Sequence, residues 1–190
     1  MMLFAHGFAL AGAQRYEPLA ASVQAALSKA VSDRAPLTSA FASKLEEVNW
    51  LSTMSRRLEK RMRDHDSRVA FLKSVHYEAS RAGLDPQLVL GLIQVESGFK
   101  KYAVSRAGAR GYMQVMPFWA KLIGAKGDNL FDMRKNIRYG CTILRHYLDL
   151  EQGDLFRALG RYNGSLGKSD YPRAVEAAWK QGWHYDSKRH

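Results

Sequence analysis

The segment DPQLVLGLIQVES, residues 85–97, most constrains what this chain can fold into. Asp85 supplies a helix-capping side chain, and Pro86 suits the first helical position, where its missing N–H costs nothing. The residues that follow are apolar on nearly every side of a helix. A helix with no polar face must be surrounded by other elements, so it belongs at the centre of a fold. One carboxylate, Glu96, stands at the end of this segment. A glycine-rich connection, KKYAVSRAGARG, comes next, and then YMQVMP, apolar except for the amide of Gln114.

Other helices are available to surround it. From Pro18 to Asp33 the chain is alanine-rich and reads as a helix with Pro18 in its first turn, ended by Pro36. Ser39 is the expected cap of a second helix, whose stripe is Phe41, Leu45, Val48, Leu51, Leu58 and Met62. The charged SRRLEKRMRDHD interleaves Glu59, Asp64 and Asp66 with basic residues and reads as a solvated face. Val69, Leu72, Val75 and Ala79 mark a third helix, closed by Gly83. Beyond the central helix, YMQVM reads as a short helix, followed by another from Pro117 to Gly124. Asp132 is placed to cap a long helix with Ile137, Cys141, Leu144 and Leu148 on one face. Further helices follow, one after Asp154 with Leu155, Ala158, Leu159 and Tyr162 inward, the last from about Tyr171 to Gln181. No strand-like alternation of useful length and no repeat occurs. The fold class is all-α: residues 14–67 form a helical N-terminal arm, 68–185 the main domain, and 186–190 a tail.

The 190 residues suffice for a real core. An excess of 29 Lys+Arg over 18 Asp+Glu, a net charge of +11, suits an anionic partner: nucleic acid, membrane headgroups or an acidic wall polymer. Cys141 is the only cysteine, which excludes an internal disulfide, and its apolar helical setting marks a buried structural thiol. Residues 1–13 are apolar and end in Ala11-Gly12-Ala13, a small-x-small cleavage pattern. They read as the remnant of a signal sequence, the competing reading being a frayed apolar terminus. No run of apolar residues is long enough for a transmembrane helix.

A carboxyl group among Ile93, Val95 and Phe99 is poorly solvated once its helix is buried, which favours the neutral form and raises its pKa. The partial negative charge at a helix C-terminus pushes the same way. A general acid working near neutral pH needs this setting. Two-carboxylate glycosidase chemistry requires a second acid, yet none lies between Asp85 and Asp128. A lone Glu96 would have to give a proton and later take one back.

The order ESGF, Ser105, GARGYMQVMP and YNGS resembles the soluble lytic transglycosylase domain, itself related to goose-type lysozyme. The likeness runs from about Arg68 to Trp183. It implies a lysozyme-like helical domain that cleaves the β-1,4 bond between N-acetylmuramic acid and N-acetylglucosamine in peptidoglycan, leaves 1,6-anhydro ends, and uses neither cofactor nor metal. By the same resemblance, Glu96 is the catalytic acid and then the base. Ser105 lies near the bound sugar, Met113, Gln114 and Met116 form a glycan-contacting wall, Tyr162 and Asn163 line the cleft, and Tyr171 points toward the glutamate. Tyr139 is a further candidate. Core packing competes for Met113 and Met116, and a turn role for Ser105. The amides of Gln114 and Asn163 need partners if buried, which favours a sugar-binding role.

The chain departs from the family in places. Lys100, Lys101 and Tyr102 replace an Asn-Pro pair, Tyr112 replaces leucine, and Gly167 stands where a glutamate is common. The resemblance implies peptidoglycan strands as partner, a periplasmic or cell-envelope location and a monomer, with the arm as a candidate contact for an envelope protein. Nucleic acid is not expected. A hydrolytic muramidase and a non-catalytic glycan-binding module stay open as alternatives.

Overall fold

A computed structural model describes residues 14–32 and 41–186. Within them the chain runs through α1 (Ala21–Ser32), α2 (Lys44–Leu58), α3 (His65–Arg81), α4 (Pro86–Ser97), α5 (Pro117–Ile123), α6 (Met133–Leu150), α7 (Leu155–Asn163) and α8 (Asp170–Ala177). A π-helical segment, Ala178–Trp183, closes the series. The described residues contain no named strand, only two isolated bridges, Val104 with Arg110 and Arg110 with Val115.

Caps set several boundaries. Asp85, Asp132 and Asp154 accept hydrogen bonds from Gln87, Lys135 and Arg157 backbone N–H groups at 2.7, 2.8 and 2.9 Å, offsetting the unsatisfied donors of a first turn. Gly83, at φ 65°, ends α3 with the Leu84 N–H reaching the Ala79 carbonyl at 2.9 Å, the geometry that favours glycine.

Three boundaries differ from the sequence reading. α1 starts at Ala21, leaving Pro18 in a non-helical lead-in. The cap of α2 is Ser43, which accepts from the Glu46 N–H, while Asp33, Pro36 and Ser39 lie outside the described residues. The segment 111–115 is a turn, because Gly111 and Gln114 both adopt positive φ, which a right-handed helix cannot accommodate.

Two central helices carry the interior. α4 buries Leu88 through Ile93 without a break. α6 buries Asn136 through Leu144 on all sides, not just along the Ile137–Leu148 face. The π-helical segment lies so close to α4 that a Cβ on Gly91 would stand 2.8 Å from the Trp179 backbone nitrogen. Widening the last helix there brings Trp179 and Trp183 over α4. Their indole N–H groups donate to Asp85 Oδ2 at 3.1 Å and Gln94 Oε1 at 3.0 Å.

Residues of the expected arm enter the same core. Leu27, Val31, Trp50, Met54 and Leu58 share one apolar cluster with the central helices. Gln24 Nε2 donates to the Leu122 carbonyl at 2.8 Å, and Arg81 Nη2 to that of Ala30 at 2.8 Å. On α2 the buried line is Glu47, Trp50, Met54 and Leu58, whereas Leu45 and Val48 of the anticipated stripe are exposed. Turning Trp50 and Met54 inward removes more apolar area from water than burying Leu45 and Val48 would.

Candidate active site

Glu96 occupies the last turn of α4. The helix ends in an abrupt bend, with Gly98 at φ 57° and Phe99, unusually for a non-glycine residue, at φ 67°. Phe99 is held there by packing against Phe71 and Trp183, ring centroids 6.0 and 5.2 Å away. Ser97 Oγ lies 2.7 Å from the Tyr112 carbonyl and 3.2 Å from that of Ile93, so it ties the helix end to the following loop. That role was not evident in the sequence.

Glu96 itself is 4% exposed. Its Oε1 accepts a hydrogen bond from the Tyr171 hydroxyl. Burial pushes its pKa up to about 8, with the Tyr171 hydrogen bond pulling weakly the other way. The group therefore holds its proton at neutral pH yet can lose it near there, as a carboxyl that must first give and later accept a proton requires. Burial also pushes the Tyr171 hydroxyl well above its ordinary range, with the neighbouring Glu96 adding to the shift. The phenol therefore acts as a hydrogen-bond donor.

Residues 111–115 form a tight turn leading to Met116, and its shape is set from behind. Asn136 of α6 is fully buried; its Oδ1 accepts from the Met113 N–H at 2.8 Å, and its Nδ2 donates to the Arg110 and Leu130 carbonyls, both at 2.8 Å. Gly111 makes room for this amide: a Cβ there would stand 2.4 Å from Asn136 Nδ2. Asn136 escaped the sequence reading, although an amide inside an apolar helix face needs partners and was a signal of this kind.

Met113 is wholly buried against Gly140, where a Cβ would meet its Sδ at 2.3 Å. Its side chain packs the core, and its carbonyl faces Tyr162, whose hydroxyl donates to it at 2.8 Å. Gln114, at φ 47°, sends Nε2 back to the Gly111 and Ala103 carbonyls at 3.0 and 3.2 Å. Its side chain thus braces the loop. Met116 is half-buried at the start of α5. Ser105 Oγ accepts from the Ala109 N–H at 3.1 Å, closing the 105–109 turn.

Tyr162 and Asn163 end α7, both buried, and Gly164 turns the chain away at φ 73°. Burial drives the Tyr162 hydroxyl well above its usual range, with Glu96 the next contributor. Glu96, Tyr162 and Tyr171 are thus brought together from α4, α7 and α8. Tyr139 is engaged elsewhere: its hydroxyl donates to Asp128 Oδ2 at 2.7 Å, beneath Gly124.

A second buried glutamate, Glu78, shows the contrasting arrangement. Arg81 and Arg134 Nε lie 3.1 Å from its carboxylate, and Arg138 Nη2 lies 2.8 Å away. Three guanidiniums surround its charge, and those of Arg134 and Arg138 tie α6 to α3. Among the described residues no group of three or more His, Cys, Asp or Glu could hold a metal ion. Burial raises the Cys141 thiol pKa, as befits a structural residue.

Fold and site define a lysozyme-like all-α domain built around one carboxylic acid. The chain belongs to the transglycosylase SLT domain family, whose model matches residues 73–181, more than half its length. It is 38% identical over 93 residues to a transglycosylase of Enterobacteria phage PRD1, covering 49% of this chain and 34% of that protein. It is also 41% identical over 83 residues to a membrane-bound lytic murein transglycosylase C of Mannheimia succiniciproducens, covering 39% of this chain and 23% of the relative. A protein of the same description from Yersinia pestis is 35% identical over 113 residues, covering 51% and 32%. The chain therefore spans about a third or less of the curated relatives it matches.

Proposed function

We propose that this chain is a peptidoglycan lytic transglycosylase, with Glu96 acting first as general acid and then as general base. One observation carries the reading: Glu96 is buried, which pushes its pKa up, and it is partnered by the hydroxyl of Tyr171, not by a cation. In the first step Glu96 donates its proton to the glycosidic oxygen between N-acetylmuramic acid and N-acetylglucosamine. The C1–O bond breaks, the leaving sugar departs with a hydroxyl, and positive charge develops on the muramoyl ring. In the second step the Glu96 carboxylate takes the proton from the muramoyl 6-hydroxyl. That oxygen bonds to C1, giving the 1,6-anhydro ring and restoring the acid.

Tyr171 orients Glu96 and steadies its carboxylate while the ring is charged. Met116 and the backbone of residues 113–116 form one glycan wall, and Tyr162 and Asn163 the other, with Ser105 supporting the loop at the rim. Family membership and the names of the relatives support this substrate. Such a substrate places the work at the cell envelope. No helix among the described residues is long and apolar enough to cross a membrane. Helices α1 and α2 pack on the domain through Leu27, Val31, Trp50, Met54 and Leu58, and their outer faces are the candidate contact for an envelope partner.

The test is digestion of purified peptidoglycan by parent and Glu96→Gln protein, with the muropeptides read by mass spectrometry. The parent should release anhydro-muramoyl ends, and the variant should release none while still binding wall glycan. Reducing ends without anhydro ends would assign the site to a hydrolase. Equal cleavage by the variant would remove Glu96 from the chemistry.

A further inference from the structure

The residues just before α1 bear on the same site. Residues 14–17 form no helix, yet Gln14 is only 4% exposed. Its side-chain amide binds the loop backbone in two directions: Oε1 accepts from the Met116 N–H at 3.2 Å, and Nε2 approaches the Gln114 carbonyl at 3.4 Å. The same amide reaches the Tyr162 hydroxyl, beside Glu96. Tyr16 sets its ring edge-on to Phe118, centroids 5.7 Å apart. Glu17 pairs with Arg161 Nη1 at 3.1 Å, and both line a cavity of about 350 Å³ together with Asn163. Gln14, Tyr16 and Glu17 therefore bridge the 111–116 loop, α5 and α7.

Chemistry identifies what Gln14 stands in for. A primary carboxamide carries two N–H donors and a C=O acceptor, and the 2-acetamido group of an N-acetylated sugar likewise carries an amide N–H donor and a C=O acceptor. Groove-facing backbone groups that satisfy one can satisfy the other. We propose that residues Gln14–Glu17 are a built-in strap seated in the glycan groove, with the Gln14 amide on an acetamido subsite formed by the Gln114 carbonyl and the Met116 N–H. This rests on the groove being the glycan site proposed above. A strand of N-acetylated sugars must displace the strap to bind, so the closed state lowers apparent affinity by the fraction of molecules that are open.

The test uses the full chain, with Gln14→Ala, Glu17→Ala and the double substitution, each also combined with Glu96→Gln. Binding of tri-N-acetylchitotriose is measured by calorimetry, and amide exchange at Met116 by mass spectrometry. The double variant should bind the trisaccharide about tenfold more tightly, as expected if roughly a tenth of the parent is open, and Met116 should exchange faster. Glu17 is half-exposed on a surface ion pair, so its single substitution preserves folding and should give a smaller gain in the same direction. Unchanged or weaker binding in both the single Glu17 variant and the double variant overturns the strap. Tighter binding with no wall cleavage by any Glu96-containing form upholds the strap and rejects the catalytic reading. Cleavage by the parent with affinity unmoved by the substitutions does the reverse.

Discussion

The Tyr171 hydroxyl donates to Glu96 Oε1 across the junction of α8 and α4, 75 positions apart in sequence. Glu96 is otherwise enclosed, so this hydrogen bond opposes the burial that raises its pKa. A hydrogen bond to a charged group contributes more than one between neutral groups, and more still where water is scarce.

Tyr171→Phe removes that donor with little change in volume. The carboxylate form of Glu96 loses its partner, so its pKa should rise further and the alkaline limb of the pH–rate profile should move up. Protonation of the leaving oxygen still has its acid, but the second step loses a stabilising contact. A loss of about 1.5–3 kcal/mol corresponds to roughly 10- to 100-fold in kcat. Initial rates on purified peptidoglycan across pH 5 to 9 check both effects; a parent-like rate and profile would show that Tyr171 does not support the acid.

Burying Glu96 also has a cost that depends on pH. Its folded pKa of about 8 lies above the ordinary 4.5, so the native state binds more protons than the unfolded chain between those values. The favourable contribution is complete below about pH 4.5 and is lost as pH rises through 8. Glu96→Gln keeps an acceptor for Tyr171 but cannot ionise. The variant's stability relative to the parent should rise from about pH 5 to pH 8, by roughly 3 kcal/mol over that range. Thermal melts at the two ends of that range test it, and a constant margin would contradict it.

Asn136→Ala should damage the site from behind. It leaves the Met113 N–H and the Arg110 and Leu130 carbonyls without their partner, in a place water does not reach freely. The expected loss is about 2–4 kcal/mol in urea unfolding, with the rate on peptidoglycan falling as the 111–116 wall loosens. If stability changes by less than about 0.5 kcal/mol, the turn is held by Gly111 and its bridges alone.

Much of the frame could be read directly from the residues. The Asp85-Pro86 start and the apolar run to Val95 place α4 at the centre, because a helix lacking a polar face has no stable position on a surface. Asp132 and Asp154 mark true caps for the same local reason. The turn at 111–115 was less legible, since its shape depends on a partner, Asn136, more than twenty positions away. The inward side of α2 is not legible from spacing alone, because Trp50 lies off the stripe through Leu45 and Val48, and its packing on His76 of α3 turns it inward.

The sequence alone determined that the chain is helical, that Glu96 ends a buried helix, and that no second acid follows nearby. These are matters of local propensity, capping and periodicity, decided within a few turns of chain. Tertiary structure alone decided that Tyr171 reaches Glu96, that Met113 offers its carbonyl and not its side chain, that Tyr139 turns to Asp128, and that Gln14 reaches the Met116 N–H. Each of those depends on groups distant along the chain being fixed within hydrogen-bonding distance, which only the packing of the helices around α4 and α6 enforces.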